Sequence, residues 1–147
     1  MRKPSQRFYI TLKAVIVDHG TVLLAQAHDG RWEFPGGRID PGEELVPLHD
    51  ILRREIREEL GEEFTVSIGP LINTWTVLYK DDVYGLALEH RCEYMSGPVV
   101  LSDEHIDYRW VTEKDWKELP LVGGNTSGMN MSLEAIFGKH SLVDSAL

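Results

Sequence analysis

Residues 47–61 (PLHDILRREIREELG) constrain the chain more than any other segment, because they describe a helix whose apolar face carries acids. Pro47 suits a first helical position, where its missing N–H has no partner to lose, and Val46 before it is pushed out of the α region. Gly61 suits the position just past the helix end. Leu48, Leu52, Ile56 and Leu60 recur every four residues and form an apolar stripe. Glu55, Glu58 and Glu59 stand at i, i+3 and i+4, so they share a face. A solvated face with helical ion pairs such as Arg54–Glu58 is the ordinary reading of such a run. At about 100° per residue, however, the stripe is centred near 60°, Glu59 falls near 20° and Glu55 near 340°. Glu59 is then inside the apolar arc and Glu55 at its edge, which is costly unless something compensates the charge.

Two carboxylates about 4 Å apart repel by roughly 1 kcal/mol in water and about 4 kcal/mol at an effective dielectric of 20. Three of them at a core boundary call for a cation. Oxygen ligands without Cys or His beside them select Mg²⁺, Mn²⁺ or Ca²⁺ over Zn²⁺. A Mg²⁺ site of this kind is completed by substrate phosphates, so the helix points toward phosphate chemistry. Gly36-Gly37, in the loop before the helix, lets backbone approach a ligand closely and leaves carbonyls for a metal, although a Pro-Gly-Gly alone describes only a tight turn.

The 147 residues suit one domain, 1–147, and 42% hydrophobic residues supply a core. Phe8–Val17 and Thr21–Ala27 read as a hairpin closed by Asp18-His19-Gly20. Residues 35–46 read as a loop. Phe64–Ile68, Leu71–Tyr79, Val83–Met95 and residues 106–111 read as strands. Thr112 suits the N-cap of a helix through Trp116 and Leu119, and Leu133–Phe137 suits a short helix. Residues 123–128 read as a flexible loop and 139–147 as a frayed tail. The sum is α+β, a mixed sheet with helices packed on it.

A formal charge of −9 argues against nucleic acid or anionic membranes as partners. Cys92 is the only cysteine, so neither an intrachain disulfide nor a Cys-based zinc site can form, which fits a reducing compartment. Met1-Arg2-Lys3 before an apolar run faintly resembles a secretory signal, but Lys13 interrupts the run and no small-residue cleavage site follows. The segment reads as a first strand and the protein as cytoplasmic.

Gly37, Glu43, Arg54-Glu55-Ile56, Glu58-Glu59 and Gly61 resemble the Nudix box, G-x5-E-x7-R-E-U-x-E-E-x-G-U, where U is bulky and aliphatic. Trp32–Gly37 (WEFPGG) resembles the strand and turn that lead into the box. Asp103-Glu104-His105 and Tyr108–Val111 resemble the family's closing loop and strand. The resemblance covers about residues 8–119, with the box at 37–62, and implies a Nudix fold, a mixed β-sheet sandwiched between helices. Two positions depart from the pattern. Ten residues separate Glu43 from Arg54 where seven are expected, so Glu44 is an alternative to Glu43. Glu62 stands at the last aliphatic position, where Phe64 can supply the packing.

The resemblance implies a hydrolase that cleaves a pyrophosphate bond in a nucleoside diphosphate linked to X, by attack of metal-activated water. Gly37, Glu55, Glu58, Glu59 and Glu104 would hold Mg²⁺ or Mn²⁺, and Arg54 would orient the helix carboxylates. The general base is either a box glutamate such as Glu55 or Glu58, or Glu104 in the polar loop before the closing strand. A solvated acid is the plain alternative for Glu104, and an exposed ring the plain reading of His105. Arg38 is placed nearest the phosphates, with Lys13 and Arg31 as further cations. Trp32, Phe34 and Tyr79 are offered for the base, with Trp75 and Tyr84 beside them, although strand aromatics more often belong to a core. A nucleoside triphosphate cleaved to monophosphate and pyrophosphate is the preferred substrate, ahead of dinucleoside polyphosphates, ADP-ribose and nucleotide sugars. A nucleotide-binding module without turnover is the alternative class, and a monomer or homodimer is expected.

Overall fold

The computed structural model describes residues 2–123 and 128–138. Its long first strand, β1 (Phe8–Asp18), organises the sheet. β1 turns into β2 (Thr21–Gln26), and the two pair antiparallel at Val17–Val22 and Asp18–Thr21. β3 (Trp32–Glu33) pairs antiparallel with the far end of β2, at Ala25–Glu33 and Gln26–Trp32. β4 (Gly36–Arg38) folds back onto the first half of β1, setting Gly37 opposite Leu12. The expectation of an irregular loop over 35–46 is therefore corrected: a Pro-Gly-Gly can form a short strand where the neighbouring strand leaves an edge unpaired. The chain continues into α1 (Leu48–Leu60), β5 (Thr65–Lys80), β6 (Val83–Ser96), β7 (Asp107–Val111), α2 (Glu113–Trp116) and α3 (Gly128–Phe137).

The main sheet order is β3-β2-β1-β6-β5, with β7 paired to β2. β1 and β6 run parallel over ten register positions, from Phe8–Tyr84 to Val17–Glu93. The two strands read at 64–68 and 71–79 are one bulged strand, β5. Pro70 has no N–H to donate, and on an edge strand its missing donor can face away from the partner, so the ladder shifts register instead of ending.

Alternation along β1 builds a core on each face of the sheet. Leu12, Ala14 and Ile16 pack with Ile51, Leu52, Ile56 and Leu60 of α1. Val15 and Val17 pack with Trp116, Met129 and Leu133 of the opposite layer. The result is the helix–sheet–helix sandwich. Phe64 is buried in the α1 core while Glu62 is exposed, so the aromatic supplies the packing two positions late.

α1 begins at Leu48 with Pro47 as its N-cap, at φ −54° and ψ 135°. The stripe is shifted from the expected one: Leu48 is 40% exposed, and Ile51 takes its place in the core. Leu48 is the first residue of the helix, while Ile51 packs with Leu12, Ala14 and Ile16 of β1. The second helix ends at Trp116 rather than Leu119. α3 starts earlier than expected, at Gly128, while residues 124–127 of the expected loop and the expected tail at 139–147 lie outside the described residues. No described helix is long and apolar enough to cross a membrane.

Candidate active site

The helical-wheel geometry sets the centre of the site. Glu55 is 7% exposed and Glu59 only 3%, both among the apolar residues of α1, whereas Glu58 faces outward. Glu59 is held by the backbone: the Gly36 N–H donates a 2.8 Å hydrogen bond to its Oε2. The Glu55 carboxylate lies directly over the Cα of Gly37, where any Cβ would clash with it. Gly36 is tighter still, with φ +144° and its Cα pressed against the backbone of Leu12. The two glycines thus let β4 run between β1 and the α1 carboxylates.

Arg54 gathers the acids that stay near the surface. Its Nε and Nη2 donate to the two oxygens of Glu43 at 2.8 and 2.7 Å, a two-pronged pair. Its Nη1 reaches Glu58 at 3.0 Å and its Nη2 reaches Glu55 at 3.1 Å. The Arg54 guanidinium, aided by the Asp40 N–H, holds the Glu43 carboxyl below the usual range. Glu44 turns instead to the Gly42 N–H, so the three extra residues are taken up before α1 and leave Glu43 as the partner of Arg54.

Burial has the opposite effect on the inner acids. It pushes Glu59 up to about 8, against the favourable charge of Lys13 and the Gly36 hydrogen bond, with Glu104 adding to the rise. Burial also raises Glu55, opposed by Arg54 and reinforced by Glu58 and Glu104. Glu104, in the loop before β7, therefore faces both inner acids, although 45 or more residues separate it from them in sequence.

The donors are all oxygens, and the two innermost have too few hydrogen-bond partners to be comfortable as anions. That chemistry fits a hard divalent cation. Among the described residues, no three His, Cys, Asp or Glu side chains are drawn together closely enough to grip an ion as they stand. Glu58 is turned to Arg54, and like charges repel until a cation lies between them.

A cleft of about 420 Å³ opens beside Gly37 on the face of the sheet opposite α1. Thr11 and Lys13 of β1, Arg38, Tyr79, Trp75 and Phe34 line it. Arg38 is clamped at its rim, with the guanidinium 5.1 Å from the ring centre of Tyr9 and 4.8 Å from that of Tyr79. The Tyr79 hydroxyl shares a 2.8 Å hydrogen bond with Thr11 Oγ1. Arg38 has no carboxylate partner among the described residues. Lys13 and Arg31, by contrast, are engaged: Lys13 Nζ donates to the Phe34 carbonyl and lies 3.7 Å from Glu33, and Arg31 pairs with Asp29.

Three expectations are corrected. Trp32 does not line the cleft; its ring is buried in the core with Val15 and Leu121, on the layer between sheet and α3. Phe34, by contrast, does line the cleft, although it is only 1% exposed. His105 is not an exposed ring but 6% exposed, donating from Nε2 to Glu33 at 2.9 Å. Tyr84 also lies away from the cleft, against Phe8.

The wall of the cleft holds a residue that sequence reasoning passed over. Glu89 of β6 is fully buried and accepts from Trp75 Nε1 at 3.0 Å, Asn73 Nδ2 at 3.2 Å and Ser132 Oγ at 2.5 Å. It thereby fixes the Trp75 indole and ties α3 to the sheet. The available signal was an acid at position 89, in step with the inward-facing Gly85 and Ala87 of β6.

The description "NUDIX domain" belongs to the family model that matches residues 10–127. The chain is 32% identical over 115 residues to a protein of Escherichia coli named nucleoside triphosphatase NudI, covering 69% of this chain and 79% of that one. Among solved structures, a UDP-X diphosphatase superposes with a TM-score of 0.72 at 15% identity, covering 94% of this chain. The chain spans 66% of that diphosphatase. The MutT protein of Methanosarcina mazei superposes with a TM-score of 0.71 at 24% identity, covering 91% of this chain and 96% of that one.

Proposed function

The chain belongs to the NUDIX family, and on that premise we propose that it is a hydrolase that cleaves a nucleoside triphosphate to the monophosphate and pyrophosphate. The observation that carries the reading is the pair of buried carboxylates, Glu55 and Glu59, packed on the Gly36–Gly37 backbone beside a cleft with the Arg38 guanidinium at its rim. The NudI name of the 32%-identical relative supports the triphosphate as substrate.

Glu55, Glu58, Glu59, Glu104 and the Gly37 carbonyl would hold a divalent cation, Mg²⁺ or Mn²⁺, which when bound would neutralise the phosphate oxygens and lower the pKa of the attacking water. Water attacks phosphorus, the P–O bond to pyrophosphate breaks, and the water proton passes to a carboxylate oxygen of Glu104. Arg54 orients Glu55 and Glu58 through its Nη2 and Nη1 contacts. Arg38, stacked between Tyr9 and Tyr79, offers its N–H groups to phosphate oxygens. Trp75, held by Glu89, and Phe34 give the cleft apolar walls for the base. Glu55 is the alternative base.

Release of pyrophosphate and phosphate from nucleoside triphosphates, dinucleoside polyphosphates, ADP-ribose and nucleotide sugars, with Mg²⁺ or with EDTA, tests the proposal. Metal-dependent pyrophosphate release from the triphosphates is expected. Release from another class alone overturns the substrate. Absence of all release, with Mg²⁺ still raising Tm, favours a nucleotide-binding module.

A further inference from the structure

We infer that His105 and Glu33 form a positioning pair that sets Glu104 against Glu55 and Glu59; the inference rests on the proposed role of Glu104. The loop that carries Glu104 is tied at both ends by backbone: the Ser102 N–H donates to the Glu59 carbonyl at 3.3 Å and the Ile106 N–H to the Gln26 carbonyl at 2.9 Å. Between these ties the loop is held by two histidine side chains. His28 Nε2 donates to the Asp103 carbonyl at 2.6 Å on the exposed side. His105 Nε2 donates to Glu33 Oε1 at 2.9 Å with its side chain only 3% exposed.

The buried bond is the one next to Glu104 in the chain, and its acceptor is well fixed. Glu33 sits in β3, paired with Ala25, and Lys13 lies 3.7 Å from the same oxygen. Its carboxylate is desolvated, but the positive charge of Lys13 and the His105 bond outweigh that and keep it ionised. Among the described residues His105 Nδ1 is buried without a partner, and the ring's hydrogen bond goes to Glu33.

Three residues after Glu33, the Gly36 N–H holds Glu59. The short segment 33–36, itself bonded to β1 through Ala14 N–H and the Pro35 carbonyl, thus registers two carboxylates from opposite directions: Glu59 through Gly36, and Glu104 through Glu33 and His105. A surface loop seldom fixes a reacting group unaided. A displacement of about 1 Å at such a group can cost on the order of 100-fold in rate. The pairing supplies the constraint without His105 touching the substrate.

The experiment uses the full chain with Mg²⁺ and the triphosphate that it turns over, comparing Glu104→Gln, His105→Phe, His105→Gln and the double variant Glu104→Gln/His105→Phe. Phe keeps the ring volume without the donor, and Gln returns a donor near the Nε2 position. Expected are a kcat lowered about 10- to 100-fold in His105→Phe with KM within about twofold, and recovery in His105→Gln. The double variant should be no slower than Glu104→Gln, because His105 acts through Glu104. An additive loss in the double variant, or equal loss in Phe and Gln variants, overturns the positioning pair. Wild-type rates in Glu104→Gln overturn the role of Glu104 itself. Amide hydrogen exchange of residues 102–106 provides a readout that needs no turnover: protection should fall in His105→Phe and return in His105→Gln, and unchanged protection in His105→Phe also overturns the pair.

Discussion

The backbone N–H of Gly36 holds the carboxylate of Glu59 across 23 residues of sequence, at 2.8 Å, inside the core. One neutral donor is a thin environment for a buried anion. The site is therefore arranged around a charge that the fold alone does not satisfy, and the first prediction follows from it.

Glu59 titrates near 8 in the folded chain against about 4.5 when unfolded, so between these values the native state binds the proton and the unfolded state does not. Its contribution to stability is fully present below pH 4.5 and is lost as pH rises through 8. Glu55, also raised by burial, acts in the same direction. Thermal melts in EDTA should show Tm falling from pH 5 to pH 8.5. Glu59→Gln should flatten that fall, with a stability gain at pH 8.5 of at most about 5 kcal/mol, while abolishing hydrolysis. A wild-type Tm that rises over the same range contradicts the assignment.

Divalent metal should reverse the loss. A native-state ion at 100 times its Kd adds about 2.7 kcal/mol. Mg²⁺ or Mn²⁺ should raise Tm at pH 8 in the wild type and much less in Glu59→Gln, as read by differential scanning calorimetry.

The two adjacent glycines should fail differently. At Gly36 a Cβ meets the Leu12 backbone and the φ of +144° is strained for any other residue, so Gly36→Ala should cost more than about 2 kcal/mol by urea denaturation. At Gly37 the obstacle is the end of the Glu55 side chain, which can swing aside. Gly37→Ala should fold with a Tm within a few degrees of wild type and lose about 100-fold or more in kcat.

Arg54→Lys keeps one charge but loses the two-pronged pair with Glu43, since an ammonium cannot match both oxygens and also reach Glu58. A fall of about 10- to 100-fold in kcat is expected, with stability lowered by roughly 1 kcal/mol. Steady-state kinetics and urea melts read both.

The stacking of Arg38 should appear in KM. Tyr79→Ala removes one ring from the guanidinium and the bond to Thr11, and should raise KM about two- to fivefold with kcat little changed, as expected for about 0.5–1 kcal/mol of cation–π contact. Arg38→Gln should raise it about tenfold. A fall in kcat alone would place Arg38 elsewhere in the reaction.

Periodicity made much of this molecule legible in one dimension. Alternation along Phe8–Val17 marks two inward faces, and the four-residue spacing of α1 puts Glu55 and Glu59 inside its apolar arc, because the angle between residues on one element depends only on their separation. The same reasoning put Leu48 in the buried stripe and passed over Ile51, since periodicity alone does not say which side of the first turn meets the sheet. It broke β5 at Pro70 because only the sheet order reveals an edge strand that tolerates a missing donor.

Contacts between elements were decided by tertiary structure alone. His105 was read as exposed, and nothing in the run Leu-Ser-Asp-Glu-His distinguishes a solvated ring from one bonded to Glu33. Arg38 meets Tyr9 and Tyr79 because β4 folds back on β1 while β6 brings β5 to the other side. Trp32 and Trp75 are both strand tryptophans, yet one fills the core and the other walls the cleft. The sequence by itself determined which face each residue presents, through local geometry fixed by the backbone. Which neighbour that face meets depends on packing between segments tens of residues apart, and that is set only when the sheet closes and the two helical layers dock.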